Sequence, residues 1–203
     1  MTADRSCEEA VRDAPFAVAV AASAGGLLAL LRLLDGLGTA LPVPVLIIQH
    51  LHPEHRTLLA DILGRRTGRS VKLAEDGERA EPGLVYVAPP DRHLLIRPGG
   101  ILSLSDSAPV HFLRPCADLL FESLADAYAD RAIACVLTGT GQDGATGVAA
   151  VKSRGGTVIA QDPETAEFPG MPEAAVGTGA VDFVLPLDDI AAVLRGLVDT
   201  KRH

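Results

Sequence analysis

Three residues whose types together could perform acyl transfer each follow an apolar stretch of the chain. Ser23 follows "FAVAVAA" (16–22), His50 follows "VPVLIIQ" (43–49), and Asp143 lies in the glycine-rich "TGTGQDG" (138–144) after "AIACVL" (132–137). A serine hydroxyl is a poor nucleophile at neutral pH. It needs a base that titrates near neutrality, and that base needs a carboxylate to orient it. The chain order Ser, His, Asp differs from the usual hydrolase orders, but such a triad is defined by geometry and not by order. Plainer roles are equally open to each residue. Ser23 could only cap the helix that follows it, His50 could be a satisfied strand-end histidine, and Asp143 could only cap a helix starting at Gly144.

The surrounding pattern says which elements must position these side chains. The run 16–22 reads as a buried strand, and from Leu27 to Leu37 the leucines recur at helical spacing, with the turn Ser23-Ala24-Gly25-Gly26 between them. Further buried strands are expected at 43–50, 132–137 and 157–162, with short ones at 71–75 and 84–88 around an Asp76-Gly77 turn and a last one at 181–185. Helices are expected from Pro53 to a C-cap at Gly68, over 116–130, from Gly144 to Gly155-Gly156, over 172–179, and from an Asp188 cap to about Val198. "HLLIRPGGILSL" (93–104) reads as a hairpin turning at Pro98-Gly99-Gly100. Strands that are nearly continuous apolar runs and alternate with helices imply a parallel sheet covered on both faces. The fold class is therefore α/β, a doubly wound, mostly parallel, Rossmann-like sheet with an added antiparallel hairpin. Residues 1–15 read as a flexible tail and 16–198 as one domain. In such a sheet ligands gather at the carboxyl ends of strands, where Ser23, His50 and Asp143 all fall.

Two rival motifs compete for the same loops. "GTGQDG" (139–144) is a literal G-x-G-x-x-G between a strand and a helix, with Asp162 closing the next strand, the arrangement of an NAD-binding unit. Only about 40 residues follow Asp162, however, and most of the sheet precedes the motif. "HLHPEH" (50–55) offers three histidines to zinc, but Pro53 interrupts it and no carboxylate or cysteine partner stands at metal spacing, so no metal and no cofactor is expected. A non-catalytic adaptor of the same fold is the remaining alternative, and an intact Ser, His, Asp set argues against it.

Composition narrows the class further. The 203 residues carry a net charge of −8, no tryptophan and no Lys/Arg cluster, so neither nucleic acid nor an anionic membrane is expected as the main partner. The apolar runs are of strand length, the first residues lack the apolar stretch of a secretory signal, and Cys7, Cys116 and Cys135 are too few and too scattered for a disulfide framework. A cytoplasmic location is the expectation.

Taken in order, "AASAGG", "VLIIQHLHPEH", "AEDGERAEPGLVYVAPPDRHLLI", "RPCADLLFESLA", "LTGTGQDGATG", "GGTVIAQDPETAEFPGMPEAAV" and "GAVDFVLPL" resemble the catalytic domain of the CheB-type chemotaxis protein-glutamate methylesterases over residues 16–195. The resemblance implies hydrolysis of γ-glutamyl methyl esters on chemoreceptors with release of methanol, and deamidation of receptor glutamines. It implies Ser23 as nucleophile, His50 as general base and Asp143 as the carboxylate orienting that base. Backbone N–H groups of Ala24 and Thr140 would form the oxyanion hole, with Gly25, Gly26, Gly141 and Met171 bordering the site. Ala24, Thr140 and Gln142 stand where relatives often carry Thr, Met, and Arg, Asn or Ser. Many relatives also carry an N-terminal phosphoacceptor receiver domain, which residues 1–15 are too short to form, so a regulatory protein acting in trans is a possible partner.

Two outcomes are expected from these readings. A histidine base makes kcat/KM rise with pH as the imidazole loses its proton, and His52→Ala leaves that profile in place. Methanol release should proceed without a phosphodonor. A several-fold stimulation by acetyl phosphate, with phosphate found on this chain, would contradict that expectation.

Overall fold

The structure is a computed structural model that describes residues 16–38, 41–50 and 57–200. The expected tail (1–15), the proposed helix start at Pro53 and the side chains of His52 and His55 lie outside the described residues. The described residues form nine strands and six α-helices, alternating except where β3 to β6 follow one another. They are β1 (Ala17–Ala22), α1 (Gly26–Gly36), β2 (Val45–Gln49), α2 (Leu59–Thr67), β3 (Val71–Leu73), β4 (Val85–Val87), β5 (His93–Arg97), β6 (Ile101–Ser105), α3 (Ala117–Tyr128), β7 (Ala132–Val136), α4 (Ala145–Ser153), β8 (Thr157–Gln161), α5 (Gly170–Gly177), β9 (Phe183–Leu185) and α6 (Leu187–Thr200).

Seven strands form one all-parallel sheet in the order β3-β4-β2-β1-β7-β8-β9, and β5 and β6 form a separate antiparallel pair. The hairpin at 93–104 is thus present as expected, but it stands apart from the parallel sheet. The short strands β3 and β4 fall within the expected 71–75 and 84–88. They pair in parallel, so residues 74–84 are a crossover connection and not a tight hairpin turn.

From β1 the chain passes to β2, then to β3 at the sheet edge and back to β4 between β3 and β2; after the hairpin and α3 it starts β7 on the other side of β1 and continues outward to β8 and β9. The β1/β7 boundary is therefore the topological switch point, and a crevice opens there beyond the carboxyl ends. Both faces of the sheet are covered because the central strands are apolar on both sides. Val18, Val20, Ile133, Cys135 and Ile159 pack with α1, α2 and α6. Ala17, Ala19, Ala21, Ala132 and Ala134 face the other way, toward α3, α4, α5 and the hairpin. Small residues on that face let α3 lie close to the sheet, so that Phe121, Leu124 and Tyr128 are buried to within 1% of complete exclusion from solvent. No helix among the described residues is long and apolar enough to cross a membrane.

The amphipathic character of α1 yields a stability contrast. Leu30 is fully buried and Leu28 is 64% exposed on the same helix. Leu30→Ala should lower unfolding free energy by about 2–5 kcal/mol. Leu28→Ala should change it by less than ~0.5 kcal/mol. Denaturant titration of the two variants checks both.

Candidate active site

Ser23 and His50 are neighbours by strand register. β1 and β2 pair in parallel with Ala22 opposite Gln49, and the His50 N–H donates to the Ala22 carbonyl at 3.2 Å. Each residue is thus the first beyond its strand, at adjacent carboxyl ends. Ser23 is tied on its other side to the segment after β7 through its N–H to the Thr138 carbonyl at 3.0 Å. Ser23 does not cap α1. The N-cap residue is Gly25, at φ 73°, with no side-chain cap. The plain capping role is therefore not the one Ser23 fills.

Two close approaches need glycine. A Cβ on Gly26 would lie 2.0 Å from Gln49 Oε1, and a Cβ on Gly139 would lie 2.2 Å from Met171 Sδ and 2.9 Å from the Ser23 Cβ. Gln49, buried at the end of β2, donates Nε2 to the Ser23 carbonyl at 2.8 Å and so braces the turn from beneath. Met171 is buried over Gly139, held by its N–H to the Gly139 carbonyl at 2.9 Å. Thr138 completes the frame. Its hydroxyl donates to the Ala24 carbonyl and accepts from the Phe168 N–H, and its own N–H donates to buried Gln161. No hydrogen bond joins the Ala24 or Thr140 N–H to another described residue. Gly25 and Gly141 border this turn at φ 73° and 87°.

Asp143 does not cap its own helix either. Gly144 is the N-cap of α4, without a side-chain cap. The carboxylate instead takes the N-terminus of α3, whose N-cap residue, Cys116, makes no side-chain cap. Oδ2 accepts from the Ala117 N–H at 2.7 Å and from His50 Nε2 at 2.7 Å, while Oδ1 accepts from the Asp118 N–H at 3.1 Å and from the Cys116 thiol at 3.0 Å. The Asp143 side chain is 1% exposed and that of His50 is 12% exposed. Burial alone would raise the Asp143 carboxyl. The His50 hydrogen bond, then the Ala117 N–H and the Cys116 thiol, outweigh it and hold the group below the ordinary carboxylate value. Burial, then the Asp143 charge, pushes the Cys116 thiol up, so it stays neutral and donates. Burial likewise raises Asp118, against the opposing Gly147 N–H.

These contacts assign the imidazole proton. An ionised carboxylate can only accept, so Nε2 carries the hydrogen and the lone pair of the neutral ring lies on Nδ1. Nδ1 is thus the ring nitrogen left to accept, and His50 and Ser23 each follow one of a register pair on adjacent strands. Cys116, Asp118 and Asp143 also gather three possible metal-ligand atoms within 4.8 Å. The carboxylate oxygens there already receive N–H groups from Ala117, Asp118 and Gly147.

The CheB methylesterase family model matches residues 18–194. The chain belongs to the CheB methylesterase family. It is 44% identical over 180 residues to a Myxococcus xanthus protein named protein-glutamate methylesterase/protein-glutamine glutaminase 4, covering 89% of this chain and 51% of that one. It is 39% identical over 175 residues to a putative protein-glutamate methylesterase/protein-glutamine glutaminase of Leptospira interrogans, covering 86% of this chain and 91% of that one. The crystal structure of the Thermotoga maritima CheB methylesterase catalytic domain superposes with a TM-score of 0.87 at 36% identity, covering 91% of this chain and 99% of that one. The chain spans about half the length of most of the curated relatives it matches, the Leptospira protein being an exception.

Membership of the CheB family accords with the doubly wound fold and leaves the NAD reading unsupported. The "GTGQDG" loop presents a buried, ionised carboxylate where a pyrophosphate would need donors, and Asp162 turns its Oδ1 onto the Glu164 N–H of its own turn. Gln49, Thr138, Gln161, Cys116 and Asp118 frame the CheB-type site and were not found from sequence. Their only signal was position, each within a few residues of a strand end or helix start.

The depressed Asp143 carboxyl makes stability pH-dependent in a defined direction. A carboxyl held below its unfolded value stabilises fully above that value, about pH 4, and the contribution is lost as pH falls through the lower folded value. Asp143→Asn should therefore cost on the order of 1–3 kcal/mol at neutral pH, with the difference from wild type constant down to about pH 5 and shrinking below about pH 4. Denaturant unfolding of both proteins across that range is the measurement.

Proposed function

We propose that this protein is a cytoplasmic serine hydrolase that removes methyl esters from glutamate side chains of chemoreceptor-type proteins, with residues 16–198 as the catalytic unit. The observation that carries the reading is the His50–Asp143 contact of 2.7 Å, placed beside Ser23 at the switch point of the sheet. The names of the related proteins support the substrate class.

The Ser23 hydroxyl gives its proton to His50 Nδ1 as Oγ attacks the γ-carbonyl carbon of the ester. Asp143 keeps Nε2 protonated and stabilises the imidazolium that forms, without itself taking the proton. The Ala24 and Thr140 N–H groups receive the oxyanion as the carbonyl oxygen becomes charged. The intermediate collapses, His50 returns the proton to the departing methoxide, and methanol leaves behind a glutamyl ester on Ser23. A water molecule then gives a proton to His50 and attacks that ester, and the Ser23 oxygen takes the proton back as the receptor departs with a free glutamate side-chain carboxylate. The relatives' names also carry a glutaminase activity, and the same steps applied to a glutamine side chain release ammonia in place of methanol.

Ser23→Ala should reduce methanol release from a methyl-labelled receptor by about 10⁴-fold or more, since triad members act as a unit. Its thermal midpoint should stay near that of the wild type. A variant that keeps a tenth of the turnover would remove Ser23 from the nucleophile's role. Added chelator should leave turnover unaffected.

A further inference from the structure

The segment between β6 and α3 ends in a two-residue turn. Val110 and Leu113 form an antiparallel bridge, the Leu113 N–H reaching the Val110 carbonyl at 2.8 Å and the Val110 N–H reaching the Leu113 carbonyl at 3.1 Å. His111 and Phe112 occupy the two central positions at φ 49° and 65°. A turn with both central residues left-handed favours Asn-Gly or Gly-Gly, and side chains such as imidazole and phenyl are strained there. The phenyl ring is also 100% exposed, more than any other exposed large apolar side chain among the described residues.

The base of this turn is fixed. Arg114 donates Nε and Nη2 to Asp91 Oδ1 at 2.8 and 2.6 Å, and Nη1 to the Asp106 and Ser107 carbonyls at 3.1 and 3.0 Å. Buried His93 meets the Ala108 carbonyl through Nε2 at 3.2 Å. A phenylalanine held in water by a strained turn on a pinned base costs the fold stability twice, through the backbone and through the exposed ring. The turn also adjoins the candidate active site. Pro109, Phe112, Leu113 and Pro115 line a cleft of about 130 Å³ together with His50. A cleft of that size holds only a small part of a protein substrate. The rest of a protein substrate must lie outside it, across the rim from which Phe112 projects.

We propose that Phe112 is a substrate-docking residue, its ring packing on an apolar flank of the protein segment that carries the glutamyl methyl ester and so favouring protein-bound over small esters. The proposal rests on the protein-ester reading above. The strained turn sets the ring's direction, and the ring gains its apolar contact only in the complex, as aromatic anchors of interfaces do.

The test compares kcat/KM on a methyl-labelled receptor with kcat/KM on a free N-acylglutamate γ-methyl ester, for wild type, Phe112→Gly and Phe112→Leu. The ratio of receptor to small ester should fall about tenfold or more in Phe112→Gly, through KM, and be largely retained in Phe112→Leu. The thermal midpoint of Phe112→Gly should hold or rise, because glycine relieves the turn. A ratio unchanged within about twofold overturns the docking role, and so does an equal fall on both esters, which would place the ring's effect at the reacting centre. If wild type cleaves the small ester and not the receptor ester, the protein-substrate reading falls and takes the docking role with it. If wild type cleaves the receptor ester and Phe112→Gly does so equally well, only the docking role falls.

Discussion

One buried carboxylate ties the candidate site together. Asp143 receives hydrogen bonds from the N-terminus of α3, from the Cys116 thiol and from the imidazole at the end of β2, with the partners split evenly between its two oxygens. A carboxylate in that position has no water to satisfy it and must be met by fixed donors. The positive end of the α3 dipole supplies the charge complement and the helix N–H groups supply the donors. The loop after β7, the start of α3 and the end of β2 are thus held in a single arrangement. The orientation of His50 follows from that arrangement, since the imidazole is the remaining donor.

The rest of the fold serves this convergence by bringing α3 close. The alanine face of β1 and β7 lets Phe121, Leu124 and Tyr128 pack tightly against the sheet, which sets the depth at which the helix N-terminus meets the switch point. Larger side chains at Ala19, Ala21 or Ala134 would lift α3 and draw its N–H groups away from Asp143. The serine turn is set from the opposite side by a comparable constraint. Gln49 lies beneath it and Met171 beside it, each occupying volume that only glycine at positions 26 and 139 leaves open. Packing and catalysis are linked here because the same short distances serve both.

The exposed Phe112 turn near the site contrasts with the saturated Asp143 cluster. The Asp143 cluster has a partner for each oxygen, whereas Phe112 is fully exposed on a left-handed backbone. A local conflict between propensity and structure is a place where function departs from stability. The turn lies at the rim of the cleft shared with His50, which connects that conflict to the substrate.

Much of the architecture was legible in the residues themselves. Continuous apolar runs alternating with helical leucine spacing determined a covered parallel sheet, and the position of Ser23, His50 and Asp143 just past three of those runs determined which end of the sheet they share. Hydrophobic periodicity is a local property, so it carries that information faithfully. Which donor meets which acceptor is not local. His50 and Asp143 lie 93 residues apart. Nothing in either segment distinguished a capping aspartate from one that reaches across to another helix. The structure decided that Asp143 caps α3 and not α4, that Ser23 caps nothing, that β3 and β4 run parallel and that the hairpin stands apart from the sheet. For Asp143 the deciding quantity was the satisfaction of a buried carboxylate by donors distant in sequence, and for the strands it was their pairing, both of which exist only once the chain is folded.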